Sequence, residues 1–182
     1  AFGKKWLPTA RIIMETFCQH MKNGLVSLFS GEGYWNFYEW SDGLDGTAAL
    51  SGKETDCLVN LFYAYAIQRY QILSEILGIY EERQQIQNRY DLLKQKINRT
   101  FWDEKQKGYR VSDEDSRCPE LAQALAVISG IGSPHRSKLI AGLANRSFSP
   151  HATLSSKIFT YEALLTEPSV YPLIRSEIKD IW

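Results

Sequence analysis

The sequence predicts an all-α domain of paired helices arranged in two layers, and three observations lead there. Apolar residues recur at helical spacing nearly throughout the 182 residues. Helices that are apolar on most sides alternate with helices that carry one narrow stripe. Short turns, at Gly78, Gly130–Gly132 and Thr166-Glu167, follow the broad helices, whereas long, chemically loaded connections follow the narrow ones. Hairpins whose buried and exposed members alternate wall an inner layer with an outer one, as in a helical toroid or a solenoid. An irregular helical bundle is the alternative that the pattern alone leaves open.

The elements follow in order. A helix over 9–21, with Ile12, Ile13, Phe17 and Met21 as its stripe, reads as the exposed member of a pair whose buried member is not in the chain. Leu25 to Ser30 alternates enough for a short strand. Over 55–77 two apolar faces coexist, one of Leu58, Leu61, Phe62, Tyr65, Ile72 and Ile76, the other of Val59, Tyr63, Ala66, Tyr70, Leu73 and Leu77. Gly78 stops that helix. The next, over 80–101, keeps only Ile86, Tyr90, Leu93, Ile97 and Phe101, so its other side faces water. A broadly apolar helix over 120–131 precedes a short one with Leu139, Ile140 and Leu143, for which Ser133 is the expected N-cap and Pro134 the first helical residue. A third pair begins after Ser155-Ser156 with Ile158, Phe159, Tyr161, Ala163, Leu164 and Leu165, then runs from Pro168 with Val170, Ile174, Ile178 and Ile181 to Trp182. Residue identity does not repeat, so the repeat is structural.

Composition excludes several classes. With 21 Lys+Arg against 21 Asp+Glu the formal charge is zero, which supplies no attraction for nucleic acid or an acidic membrane. No apolar run approaches the ~20 residues of a membrane span, and Ala1 to Trp6 has no signal-peptide core. The three cysteines, Cys18, Cys57 and Cys118, are odd in number and widely spaced; they read as buried apolar residues, with no metal or other cofactor implied. The expected domain is therefore single and spans 1–182, with the compartment open among cytoplasm, periplasm and exterior.

The chemistry concentrates in the first long connection, Gly33-Tyr34-Trp35-Asn36-Phe37-Tyr38-Glu39-Trp40-Ser41-Asp42-Gly43-Leu44-Asp45-Gly46-Thr47. A sugar ring offers apolar C–H faces ringed by hydroxyls, so its site needs flat aromatic surfaces beside carboxylates that accept hydrogen bonds. Trp35, Trp40, Glu39, Asp42 and Asp45 are that mixture. An equally consistent reading has the aromatics plugging the rim of the core while Asp42 and Asp45 stabilise turns.

Trp35-x-Phe37-x-Glu39-Trp40 with its Gly/Asp-rich turn resembles the W-x-F-x-D-W stretch of bacterial α-L-rhamnosidases of glycoside hydrolase family 78. In the family's order follow Asn60 with Ala64, Phe101-Trp102-Asp103-Glu104 with Gly108-Tyr109, Gln123-Ala124-Leu125-Ala126-Val127 with Gly130-Ile131, Phe159-x-x-Glu162-Ala163-Leu164, and a terminal Ile-x-x-Ile-Trp182. The resemblance covers roughly residues 9 to 182. It implies an incomplete (α/α)6 toroid of about three and a half hairpins, and an inverting hydrolase in which one carboxylic acid protonates the leaving oxygen and a second carboxylate activates water. The family's R-E…G-D and W-E elements, which supply those two groups, have no match here, so the catalytic residues are unassigned and expected outside the chain. The chain ends inside a patterned helix, which the same reading takes as truncation. Where the family has Asp before the second Trp, this chain has Glu39. The implied partner is a carbohydrate, a rhamnoside or rhamnose-containing glycan, together with the rest of the toroid or another chain covering the inner helices. Rival readings are other (α/α)6 carbohydrate enzymes, such as unsaturated glucuronyl hydrolases or trehalase-like enzymes, and a non-catalytic helical interaction module.

His151 precedes an inner helix at the same rim and is a further candidate ligand contact; His20 and His135 read as surface residues. The acidic run of Asp103, Glu104, Asp113, Glu114 and Asp115 fits no EF-hand spacing and reads as solvated loop. Asn98-Arg99-Thr100 and Asn145-Arg146-Ser147 match the glycosylation sequon, the first inside an expected helix.

Overall fold

The computed structural model describes residues 2–46 and 54–181; Thr47, the rest of that connection up to residue 53, and Trp182 lie outside the described residues. Seven helices form among them: α1 (Phe2–Gln19), α2 (Cys57–Ile76), α3 (Arg83–Phe101), α4 (Glu120–Ile128), α5 (Arg136–Ala144), α6 (Lys157–Leu164) and α7 (Tyr171–Ile181). Two short antiparallel hairpins, β1 (Met21–Lys22) with β2 (Leu25–Val26) and β3 (Trp102–Asp103) with β4 (Gly108–Tyr109), precede α2 and α4. The fold is the expected all-α array, with α2, α4 and α6 as the inner layer and α3, α5 and α7 outside them.

Burial separates the layers as the periodicity requires. In α4 every residue from Glu120 to Val127 is buried. In α3 only Ile86, Tyr90, Leu93, Ile97 and Phe101 are, all five on the predicted stripe. Asp56 opens α2 by accepting the Val59 amide at 2.9 Å, a side-chain cap that satisfies one of the orphan donors of the first turn.

A buried amide recurs at each strand-to-inner-helix junction. Asn60 of α2 accepts the Val26 amide at 2.7 Å and donates to the Asp56 carbonyl at 2.7 Å. Gln123 of α4 accepts the Tyr109 amide at 2.7 Å and returns a bond to the Tyr109 carbonyl at 2.8 Å. Both side chains are wholly buried. Each completes the unpaired edge of its two-residue strand, whose orphan groups would otherwise be sealed from water.

The third junction uses charge instead. The Glu120 carboxylate, 1% exposed, accepts Lys157 Nζ at 2.7 Å and Thr160 Oγ1 at 2.8 Å, and Lys157 Nζ also lies 3.2 Å from Glu177 of α7. Burial opposes ionisation of Glu120, but the bonds from Lys157 and Thr160 outweigh it and hold the carboxyl below its ordinary range.

Several local expectations are corrected. Helix α1 begins at Phe2 and runs through Pro8, and its inward residues are Leu7 and Met14, with Ala10 and Phe17 half-buried against the core. Ile12 and Ile13, the expected stripe, are 66% and 48% exposed, because two adjacent apolar residues cannot both share the face set by Leu7 and Met14. Met21 leaves the helix for β1, since Asn23 and Gly24, both at positive φ, turn the chain back as a tight hairpin. The strand expected from Leu25 pairs over only two residues. Ser133 does not cap α5: it starts a 3-10 turn, makes no capping bond, and its hydroxyl accepts Lys94 Nζ at 2.7 Å. Ile72 and Ile76 of α2, Ile158 of α6 and Leu165 just after it are exposed, so the inner helices are covered on fewer sides than their composition suggests.

Two stability predictions follow from the junctions. Asn60→Ala leaves the Val26 amide buried without an acceptor and should cost about 2–3 kcal/mol, read as a lower urea midpoint at unchanged m-value. For Glu120 the depressed carboxyl contributes stability that is complete above the unfolded value of 4.5 and disappears as pH falls through the lower folded value. Glu120→Gln should therefore melt well below the parent at pH 7, with the gap in Tm closing under pH 4.5. A gap that stays constant down to pH 2.5 would contradict the ionised pair.

Candidate functional site

The three long outer-to-inner connections meet at one rim, at the N-terminal ends of α2, α4 and α6. The first is folded onto itself by backbone and side-chain bonds. Asn36 mimics a strand partner, accepting the Phe29 amide at 3.1 Å and donating to the Phe29 carbonyl at 2.7 Å. Leu44, fully buried, anchors the tip, and its carbonyl accepts the amides of Tyr38 and Glu39 at 2.9 and 3.1 Å. Tyr38 donates its hydroxyl to the Asp56 carboxylate at 2.9–3.0 Å, tying the segment to the cap of α2; burial, then the Asp56 charge, pushes the phenol well above its ordinary pKa.

On this frame Trp35, Phe37 and Trp40 form one aromatic group. Phe37 lies 5.1 Å from Trp35 and 4.7 Å from Trp40, and the two indoles meet edge to face at 6.3 Å. Trp35 and Trp40 are nevertheless 63% and 69% exposed. Trp35 Nε1 donates to the Asp45 carbonyl at 2.8 Å, and a Cβ at Gly46 would strike that nitrogen, so only glycine fits there, at φ +87°. The indoles thus stand in solvent on a fixed support and do not plug the core.

The other two connections clamp this one. Arg117 holds Asp115 through two nitrogens, at 2.9 and 2.6 Å, and donates to the Asp42 carbonyl at 2.8 Å. Its guanidinium occupies the space a Cβ at Gly43 would need. From the third connection, Thr153 gives Glu39 Oε1 both its amide and its hydroxyl, the latter at 2.9 Å. Ser41 reaches the His151 carbonyl at 3.4 Å.

The six candidate residues therefore share one rim but differ in setting. The Asp42 side chain is fully exposed, 4.0 Å from Arg117, while Asp45 is half-buried beneath Trp35. His151 is 47% exposed, with Nδ1 at 3.4 Å from Glu120. Glu39 is 1% exposed; one oxygen holds Thr153, and the other, Oε2, is buried with no hydrogen-bond donor among the described residues. It is one of six buried side-chain polar atoms without a hydrogen-bond partner among the described residues, and the one that lies at this rim.

Sequence reading missed Arg117, Thr153 and Glu120. Arg117 and Thr153 carry no motif. Glu120 had a signal, being the single charge at the head of an otherwise apolar helix, where an N-terminal acid reads by default as solvated.

Elsewhere the charged groups serve the fold. Asp103 accepts the Lys105 and Gln106 amides, and Asp113 pairs with Arg110. Glu104, held by Lys107 and the Trp102 indole, has its carboxyl lowered to about 2. No three of His, Cys, Asp and Glu among the described residues are grouped to hold a metal ion. His135 stacks flat on Trp102 at 3.5 Å, and His20 packs on Phe29 at 4.3 Å. The Asn98 amide is engaged by Lys94, Ile131 and Tyr109, whereas Asn145 is exposed at the end of α5. Cys57 and Cys118 are buried and Cys18 half-buried, all as free thiols. A half-open cavity of about 370 Å³ lies between the end of α2 and the start of α3, lined by Gln68, Gln71, Ser74 and Gln87 among others. It lies along the second half of α2, away from the rim at the start of that helix. No described helix is long and apolar enough to cross a membrane.

No family model and no curated protein matches the chain. Among solved structures it is similar to a GH78 family rhamnosidase of Bacillus sp. GL1, with a TM-score of 0.79 and 21% identity over 99% of this chain. It is also similar to a rhamnosidase from Klebsiella oxytoca with rhamnose bound, with a TM-score of 0.72 and 20% identity over 94% of this chain. The chain spans 19% of the first and 32% of the second. At that identity the likeness is one of fold, and the two-layered helical array described above is the fold that these two rhamnosidases contain.

Proposed function

We propose that the chain is part of a glycoside hydrolase acting on terminal rhamnosides, and that its rim binds the sugar. The observation that carries this reading is the pair of exposed indoles on a rigid rim, ringed by Glu39, Asp42, Asp45 and His151. An exposed indole costs hydrophobic free energy unless something covers it, and a sugar's C–H face is a cover of matching size. Trp35 and Trp40 would stack on the ring and Asp42, Asp45 and His151 would take hydroxyls, while Glu39, sealed behind them, would reach the sugar only if the Thr153 turn moved aside. The fold likeness and the rhamnose bound to the Klebsiella oxytoca neighbour support the choice of sugar.

Hydrolysis would proceed with inversion, an acid and a base carboxylate ~6.5–9.5 Å apart acting on the glycosidic oxygen and on water. We place both outside residues 1–182. Further hairpins of the same toroid would then cover the exposed Ile12 and Ile13 of α1, Ile158 of α6 with Leu165 just after it, and Leu173 and Ile178 of α7.

The same exposed aromatics also suit a protein-binding surface, and one titration separates the two readings. L-Rhamnose should quench or shift the tryptophan fluorescence of the chain saturably, and Trp35→Ala or Trp40→Ala should each weaken binding about tenfold, the equivalent of ~1.4 kcal/mol. Saturable binding unchanged in both variants would remove the site assignment. Purified 1–182 should not hydrolyse an aryl rhamnoside; measurable turnover would place the catalytic pair inside the chain.

A further inference from the structure

We propose that Glu120 is the positioning residue of the rim, setting both the 150–157 turn and the ring of His151 through one buried carboxylate. The inference rests on the rhamnoside-binding reading and adds a residue that touches no sugar.

The geometry is a relay outward from the core. Glu120 is the first residue of α4, and its own amide donates to the Pro150 carbonyl at 2.9 Å. Its Oε1 takes Lys157 and Thr160 on α6. Its Oε2 takes the Ala152 amide at 3.1 Å and faces His151 Nδ1 at 3.4 Å. The carboxylate therefore fixes residues on both sides of Thr153, and Thr153 gives its amide and hydroxyl to Glu39 in the indole-bearing segment.

Two features argue for more than a structural ion pair. Lys157 could have satisfied Glu120 alone, but the second oxygen is turned toward the rim, to an amide and an imidazole that are not part of the helix packing. His151 is also half exposed, so its direction is not set by burial. Glu120 Oε2 approaches Nδ1 at 3.4 Å without a hydrogen bond, and its charge on that side favours the tautomer with the proton on Nδ1, which presents Nε2, across the ring, to a ligand. Carboxylate behind imidazole is a general device for fixing tautomer and orientation together.

The test uses the 1–182 chain with L-rhamnose as probe. Glu120→Gln keeps the shape but not the charge, and Glu120→Asp keeps the charge but draws it back by one methylene. Both should raise the Kd for L-rhamnose about tenfold in protein whose circular dichroism shows it folded. The imidazole ¹⁵N signals of His151 should move from the Nδ1–H tautomer toward a mixture in Glu120→Gln. Glu162→Gln removes a different inter-helix pair, with Arg69 and Tyr65, and should lower stability while leaving the Kd unchanged. A purely structural Glu120 would lower Tm without moving either the Kd of the folded protein or the His151 tautomer, and that result overturns the proposal. If the unsubstituted chain binds no L-rhamnose, the sugar reading fails by itself. The His151 spectrum then still decides whether Glu120 sets the ring.

Discussion

Burial of α4 is the constraint on which the rest of the structure depends. Nine residues make two and a half turns, too short to persist alone in water, so the helix exists only because α2, α5 and α6 enclose it. An enclosed helix must satisfy its first-turn donors and any charge internally. Glu120 and Gln123 both sit in that first stretch, and both reach out to the connections that precede α6 and α4. The requirement that makes α4 stable is therefore the same one that draws the long connections to a common rim.

The junctions show one problem solved in two ways. Where a short hairpin enters an inner helix, a neutral amide closes the ladder, Asn60 for β2 and Gln123 for β4. Where no hairpin forms, before α6, a carboxylate and an ammonium do the work, and the exposed imidazole of His151 is drawn into their orbit. Neutral closure is insensitive to pH and leaves nothing at the surface. Charged closure couples the interior to the rim.

Much of the fold was legible because it rests on periodicity. The α3 stripe at Ile86, Tyr90, Leu93, Ile97 and Phe101 is buried residue for residue, since a helix with one wet face has a single way to turn. Helix α1 was misread where Ile12-Ile13 outweighed the wider-spaced Leu7 and Met14, a competition that composition cannot decide and packing against α2 does. At the rim, the aromatic-carboxylate mixture located the segment but not its internal differences. Glu39 and Asp42 look alike in sequence, yet one is sealed against Thr153 and the other stands in water, because residues over a hundred positions away determine which acid is covered. Glu120 was invisible for the same reason, its partners being Ala152, Lys157 and Thr160.

Under the proposed sugar-binding reading, the bond from Trp35 Nε1 to the Asp45 carbonyl bears on discrimination among ligands. With its lone proton already committed, that indole can offer only its flat hydrocarbon surface, which attracts any molecule with a broad oily side and reads no stereochemistry. If the proposed sugar site holds, telling one epimer from another would fall to the acids and the imidazole around it, so the aromatic shelf would set how firmly a guest is held and the charged fringe which guest it is.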